Sequence, residues 1–146
     1  MRHALKEARC AYDLGEVPVG AVLVFDGEVI ARAHNIVESN SDATHHAELL
    51  CLQQAARQLR RWRLLGCTLY STLEPCSMCV GAMFLSRIDR LVWGAPDHRH
   101  GAHGSWVNLF GSKHPTHHIQ VASGVLAQES SSLMRSFFQE RRNDCL

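Results

Sequence analysis

The sequence predicts an α/β fold with a mixed sheet, built from residues 1–146 as one domain. Three observations predict it. Asp26-Gly27, set between two apolar runs, is a strong two-residue hairpin signal and requires an antiparallel strand pair. Residues 67–93 read strand, helix, strand, an order that favours neighbouring parallel strands, because those need a crossover between them. The length, 146 residues, suffices for one ordinary core and not for two.

Residues 1–14 carry Ala4, Leu5, Ala8 and Tyr12 at helical spacing, and Gly15 ends that helix. After the connector Val17-Pro18, residues 19–25 form a strand too apolar on both faces to meet water. Residues 28–34 are its returning partner. Residues 35–43 are polar and aperiodic and read as a loop, with Thr44 as the N-cap of a helix over 47–60. Gly66 precedes a third strand, 67–72. The next helix starts at Cys76, with Pro75 in its first turn, where a fixed φ and a missing N–H are tolerated. Residues 88–93 form a fourth strand. From 94 to 118 the periodicity is lost, and six of the ten histidines fall here. Loops this long are functional or locally helical, and residues 106–110 fit a helical turn. Residues 119–122 fit a fifth, edge strand, and residues 126–142 a last helix. The chain holds no internal repeat, low-complexity tract or linker.

Hydrophobic residues make up 46% and charged residues 20%, a globular and not a disordered composition. No apolar run reaches the ~20 residues a membrane helix needs. The start is amphipathic and carries an acid, unlike a signal peptide, so a cytoplasmic location is expected. Lys plus Arg is 15 against 14 Asp plus Glu, a balance that does not mark a general nucleic-acid binder. A site that reads one short loop needs only a local basic patch. Six cysteines are an even count, but a reducing compartment argues against a disulfide framework. Cys10, Cys51 and Cys67 lie in helix- or strand-like runs, where a free cysteine acts as a small hydrophobe. Cys145, beside the C-terminus, reads as exposed and incidental. Cys76 and Cys79 remain as the pair that needs a chemical reason.

Those two sulfurs lie three residues apart at a helix start, on one face, where the helix dipole favours thiolate. Alone, the pair is compatible with redox chemistry, zinc or neither. His46-Ala47-Glu48 upstream sharpens it. One histidine and two cysteines make three zinc ligands with a fourth position open, the catalytic arrangement. Glu48 diverges from His46 and hangs over that position. Zinc lowers the pKa of a water held there, and a glutamate can pass the proton to a ring nitrogen and a leaving amine. Attack on an amino-substituted aromatic carbon is hydrolytic deamination. His-x-Glu followed by Pro-Cys-x-x-Cys is the established signature of zinc nucleobase deaminases, so the residues match a known pattern. The bland alternatives are a closed zinc site with a fourth ligand, or a buried histidine beside two core thiols.

With these residues the chain resembles the bacterial tRNA-specific adenosine deaminases, members of the zinc-dependent cytidine/deoxycytidylate deaminase superfamily. That family converts the wobble adenosine of an arginine tRNA to inosine. The resemblance covers essentially the whole chain. It runs through Glu16-Val17-Pro18-Val19-Gly20-Ala21-Val22, Asn35, His46-Ala47-Glu48, Thr72-Leu73-Glu74-Pro75-Cys76-Ser77-Met78-Cys79 and Phe137-Phe138-Gln139-Glu140-Arg141-Arg142. It implies a three-layer α/β/α fold with a five-stranded mixed sheet, zinc as cofactor, a homodimer and a tRNA anticodon stem-loop as partner. It also implies that Asn35 hydrogen-bonds the flipped nucleoside, that Val17 and Pro18 wall its pocket, and that Ala47 contacts it. By the same likeness Asp97 lies in a loop that touches the nucleotide. This chain departs from the family at three points: residues before the first helix and a basic tail after the last are absent, and His45 stands where a small residue is usual. His45 is therefore a competitor for the ligand role of His46.

The remaining polar residues divide between chemistry and surface. His98, His100, His103, His114, His117 and His118 repeat no tight ligand spacing and read as loop histidines. Arg57, Arg60, Arg61 and Arg63 fit a solvated helix end as well as an RNA contact. Asp13, Glu16 and Asp97 read as surface acids, Asp97 alone with a role toward the nucleotide. Phe138 and Arg142, four apart on one helix face, suit stacking on a base and holding its phosphate. That pair favours RNA over a free nucleobase such as guanine or cytosine, and single-stranded DNA is a further rival substrate. The presence of Glu48 argues against a catalytically silent zinc-binding subunit.

Overall fold

The hairpin forms as its turn predicts. β1 (Gly20–Phe25) and β2 (Glu28–His34) are antiparallel, and Asp26 and Gly27 take φ of 51° and 76°. Two successive positive φ values match the right-handed twist of the flanking strands. The computed structural model describes residues 1–144. Before the hairpin lies α1 (Arg2–Asp13). After it come α2 (Val37–Asn40), α3 (Ala47–Leu59), β3 (Cys67–Leu73), α4 (Ser77–Ser86), β4 (Arg90–Ala95), β5 (Gln120–Ala122) and α5 (Ala127–Asp144).

The strand order is β2-β1-β3-β4-β5. β1 is antiparallel to β2 and β3, while β3, β4 and β5 are parallel. The sheet is thus mixed and five-stranded, with β5 at one edge. Side chains alternate across it. Ala21 and Leu23 enter a core shared with Cys51, Leu52 and Ala55 of α3 and Val80 and Met83 of α4. Gly20 faces the opposite way, against α1: a Cβ there would stand 2.1 Å from Ala4 O and 2.4 Å from Ala8 N. Only glycine permits that approach, and Ala4, Ala8 and Ala11 are the small buried residues that complete it. α5 packs on β4 and touches α1. The layers are therefore α1 with α5, the sheet, and α3 with α4.

Local details differ from expectation. α2 interrupts the stretch read as a loop. Thr44 does not cap α3; its hydroxyl and N–H donate to Asp42 Oδ1 at 2.7 and 2.8 Å, and His46 takes the N-cap position. Pro75 precedes the first turn of α4, whose N-cap is Cys76. β4 starts at Arg90, not Ile88, and continues to Ala95. Residues 106–110 form turns and an isolated bridge from His103 to Asn108, without a helix. Cys10 is exposed on α1, whereas Cys51 and Cys67 are buried. Cys145 lies outside the described residues. Among those described, no helix is long and apolar enough to cross a membrane.

Candidate active site

His46 and Cys76 occupy equivalent positions on two helices. Each is the N-cap residue, with extended φ and ψ of −74° and 149° for His46 and −75° and 171° for Cys76. Neither side chain caps its helix. Both point instead at one another: His46 Nδ1 stands 3.5 Å from Cys76 Sγ and 3.7 Å from Cys79 Sγ. The three ligand atoms all lie within 4.8 Å of one another, and the described residues supply no fourth His, Cys, Asp or Glu to the group. His45 is not part of it. Its ring nitrogens lie 2.9 Å from Asn40 Nδ2 and 3.2 Å from Asp42 Oδ2.

The donor set suits zinc: two sulfurs and an imidazole, partly or fully buried, at two helix N-termini. Cys76 is pulled down to about 4 by the hydrogen bond from the Cys79 thiol, with His46 helping against burial. The Cys76 thiolate and burial push Cys79 up in turn. The same thiolate raises His46. Such a group of coupled donors, competing for protons in a partly dry site, is what a divalent cation resolves.

Glu48 lies in the first turn of α3 and is buried. Its Oε1 is 3.3 Å from Ser71 Oγ, but that hydroxyl also reaches Leu73 O at 2.8 Å. One proton serves two acceptors, and the carbonyl is nearer. Burial raises the Glu48 pKa above the ordinary carboxylate range; its own backbone N–H, His46 and the weak Ser71 bond oppose that rise without cancelling it. Nothing in the sequence marks Ser71, an inward residue of β3, as a partner of Glu48.

Asn35 is almost fully buried at the end of β2. Its N–H donates to Val19 O at 3.0 Å, and the next N–H, of Ile36, donates to His45 O at 3.2 Å. Two main-chain bonds thus tie Asn35 to Val19, just after the Val17-Pro18 connector, and its neighbour Ile36 to His45, just before His46. Pro18 and Ala47 are buried and Val17 half-buried. Glu16 is not the surface acid expected. It is fully buried, and its carboxylate accepts from Asn35 Nδ2 (3.2 Å), Glu38 N (3.2 Å), Ser39 N (2.6 Å) and Ser39 Oγ (2.7 Å). Burial alone would raise its pKa; the bonds from Ser39 and Glu38 outweigh it and hold the group low.

Asp97 is half-buried beside a third buried carboxylate, Glu74. Glu74 accepts from Asp97 N (3.3 Å), His103 N (2.9 Å), Ser105 N (3.2 Å) and Ser105 Oγ. The loop closes so tightly around it that a Cβ on Gly101 would lie 2.3 Å from the carboxylate. Ala102 N also donates to Pro75 O at 2.9 Å, so the loop sits against the Cys76 backbone. Asp97 spends one oxygen on its own turn: Oδ1 accepts from Arg99 N and His100 N at 3.0 and 3.3 Å. The sequence reading missed Glu74 and Glu16 as organisers, because an acid in a loop carries no signal of its burial.

The other predicted residues lie apart. Phe138 and Arg142 are exposed on α5, in the layer across the sheet from α3 and α4, while Phe137 is buried edge-on to Tyr12 at 5.6 Å. Arg141 holds α5 to the end of α1 through Gly15 O. Arg61 bonds Leu65 O at 2.8 Å and covers the Phe25 ring, a structural use within the arginine cluster. Among the loop histidines, His114 stacks on Phe84 at 4.3 Å and His117 Nε2 bonds Ile88 O at 2.7 Å.

A family model described as the cytidine and deoxycytidylate deaminase zinc-binding region matches residues 1–95. The chain is 48% identical to the tRNA-specific adenosine deaminase of Bacillus subtilis, over 97% of its own length and 88% of that protein's. It is 49% identical to the chloroplastic tRNA(adenine(34)) deaminase of Arabidopsis thaliana, over 97% of this chain but only 12% of the plant protein. A solved structure from work on A-to-I editing by tRNA:A34 deaminases at the wobble position superposes with a TM-score of 0.87 at 45% identity, covering 91% of this chain and 96% of that one. The buried glutamate beside a His-Cys-Cys group, on this sheet and in this strand order, thus has the relatives its chemistry leads one to expect, and the chain belongs to the cytidine and deoxycytidylate deaminase family, among the tRNA-specific adenosine deaminases.

Proposed function

We propose that this chain, acting as one deaminase domain, hydrolyses the wobble adenosine of a tRNA anticodon loop to inosine. The observation that carries the reading is a buried Glu48 beside His46, Cys76 and Cys79, in a chain whose relatives bear the name of that activity. His46 Nδ1 and the two sulfurs would hold zinc, which would supply Lewis-acid activation of water at neutral pH. Glu48 would take one proton from the attacking water and deliver it to a ring nitrogen as the C–O bond forms, then pass the second proton, from the new hydroxyl, to the amine, which leaves as ammonia when the C–N bond breaks. Ser71 keeps the carboxylate in place without saturating it. Asn35, Val17, Pro18 and Ala47 hold the flipped base and keep bulk water out, and Asp97 lies toward the ribose.

Phe138 stacks on a further base of the loop and Arg142 pairs with a phosphate, both being exposed on α5. We further infer an arginine tRNA as the substrate, a cytoplasmic site of action and a homodimer. Leu85 and Trp106, 72% and 64% exposed, supply apolar surface for a second copy. The test is inosine mapping on total tRNA after incubation with the zinc-loaded protein. Inosine at the wobble position of an arginine tRNA is expected. Deamination of free guanine or cytosine with no inosine in tRNA would overturn the reading.

A further inference from the structure

Glu16 is not in the His46, Cys76, Cys79 group, yet it is fully buried, and among the described residues no cation pairs with it at salt-bridge distance, His34 acting on it only from farther away. Burying an ionised carboxylate is costly unless donors surround it. Its four donors come from two sources. Glu38 N, Ser39 N and Ser39 Oγ belong to the first turn of α2, whose N-cap, Ile36, has no polar side chain to serve them. The fourth donor is the side-chain amide of Asn35.

The oxygen and nitrogen of an asparagine amide are nearly alike in shape, so only the chemistry of a partner decides which way the group faces. An ionised carboxylate accepts and cannot donate. Glu16 Oε2 therefore selects Nδ2, at 3.2 Å, and repels Oδ1. With the Asn35 backbone also pinned to Val19 and next to the Ile36–His45 bond, the side chain has one orientation. Its second Nδ2 hydrogen and the lone pairs of Oδ1 are left for a bound base, in a fixed order.

We propose that Glu16 is a positioning residue for substrate recognition: it orients the Asn35 amide so that the pocket accepts a base with one order of donor and acceptor and rejects the reverse. This rests on the reading of Asn35 as a substrate contact. Glu16 directly precedes Val17-Pro18, so one short connector supplies both the pocket wall and the residue that sets the amide.

The test is a double-mutant cycle on Glu16→Gln and Asn35→Ala, read as kcat/KM for an RNA anticodon stem-loop with adenosine at the wobble position. Glutamine keeps the shape of Glu16 but has one carbonyl oxygen; the short bonds from Ser39 N and Ser39 Oγ, 2.6 and 2.7 Å, claim it, so the amide nitrogen faces Asn35 and turns Oδ1 toward it. Glu16→Gln is expected to lower kcat/KM at least about tenfold with zinc content unchanged. In the Asn35→Ala background it lowers kcat/KM no further. Ser39→Ala removes another bond to the same carboxylate and leaves the one to Asn35; it is expected to lower Tm and not kcat/KM. Additive losses in the cycle, or a loss in Ser39→Ala equal to that in Glu16→Gln, overturn the positioning role and leave Asn35 standing as a substrate contact. Full kcat/KM in Asn35→Ala instead removes Asn35 from the pocket, and the inference with it. Should Glu16→Gln fail to fold, the Asn35 side-chain amide of the unaltered protein decides by NMR. One slowly exchanging amide proton supports the bond to Glu16; two fast ones overturn it.

Discussion

Around Glu48 the donors are its own backbone N–H and a single hydroxyl proton, which is divided between the carboxylate and a nearer carbonyl. Around Glu16 and Glu74 the surroundings are reversed. Each accepts from three N–H groups and one serine hydroxyl, and in both cases that serine gives its N–H as well. All three glutamates are buried. Burial raises Glu48, whereas the donors around Glu16 overcome it and keep that group low. A buried carboxylate surrounded by donors is fixed in place and acts as a fastening; one with few donors, like Glu48, is freer to exchange a proton. Residue type and burial do not separate these roles. The number of donors does.

The comparison is broken most directly at the site itself. Cys76→Ala should lose zinc and turnover together, by metal analysis and kcat. Glu48→Ala should keep zinc and fold while turnover falls by ~10²–10⁴, the usual contribution of a general acid–base group. Near-normal turnover in Glu48→Ala would move the proton transfer elsewhere. Zinc undiminished in Cys76→Ala would remove that sulfur from the ligand set.

Glu74 should behave in the opposite way. Glu74→Gln turns an amide nitrogen toward backbone N–H groups, which can only donate, and an unsatisfied buried donor costs about 1–3 kcal/mol. Denaturant unfolding should show a loss of that size, with zinc retained, while Glu48→Gln loses activity with little change in stability. Gly101→Ala attacks the same contact from the loop side, since its Cβ would press on the Glu74 carboxylate at 2.3 Å. Equal stability of Glu74→Gln and the unaltered protein would end the distinction between fastening and shuttle.

The contrast also explains what was legible in the sequence. The hairpin was legible because Asp26-Gly27 sets its own backbone, and the parallel half because a crossover helix must separate β3 from β4. His46, Glu48, Cys76 and Cys79 were legible because their spacing is tied to two helix starts. Glu16 and Glu74 were not, nor was Ser71 as a partner of Glu48, since the groups they bond there lie at least 19 residues away in the chain. The α2 turn was missed for the same reason: donors in its first turn are satisfied by Glu16, far upstream, and no local cap announces it.

Outside the pocket the same contrast applies to RNA contacts. Phe138→Ala and Arg142→Ala should each weaken binding of an anticodon stem-loop, the phenylalanine by the ~1–3 kcal/mol of one stacked base. The arginine change should also flatten the dependence of affinity on salt, because one phosphate contact is gone. Zinc content and Tm should not move, since both side chains are exposed. Unchanged affinity in both variants would make the Phe138 side of α5 ordinary surface.

Asp97 stands between the two kinds of carboxylate, with one oxygen fastened and the other available. Oδ1 accepts from Arg99 N and His100 N and shapes the turn, while the nearest ionic partner of Oδ2 is His100 Nδ1 at 3.8 Å. A ribose 2′-hydroxyl is a donor that Oδ2 can accept from; deoxyribose lacks it, and the carboxylate then faces the phosphate backbone unpaired. Asp97→Asn keeps Oδ1 and the turn, replaces Oδ2 with an amide, and removes the charge. A hydrogen bond to a charged group is worth about 1.5–3 kcal/mol, so the preference for RNA over DNA should fall about tenfold or more. The measurement is kcat/KM on matched RNA and DNA hairpins for both proteins, with Tm as the control on the turn. A fall in Tm with an unchanged RNA-to-DNA ratio would mean that both oxygens of Asp97 serve the loop and neither faces the substrate.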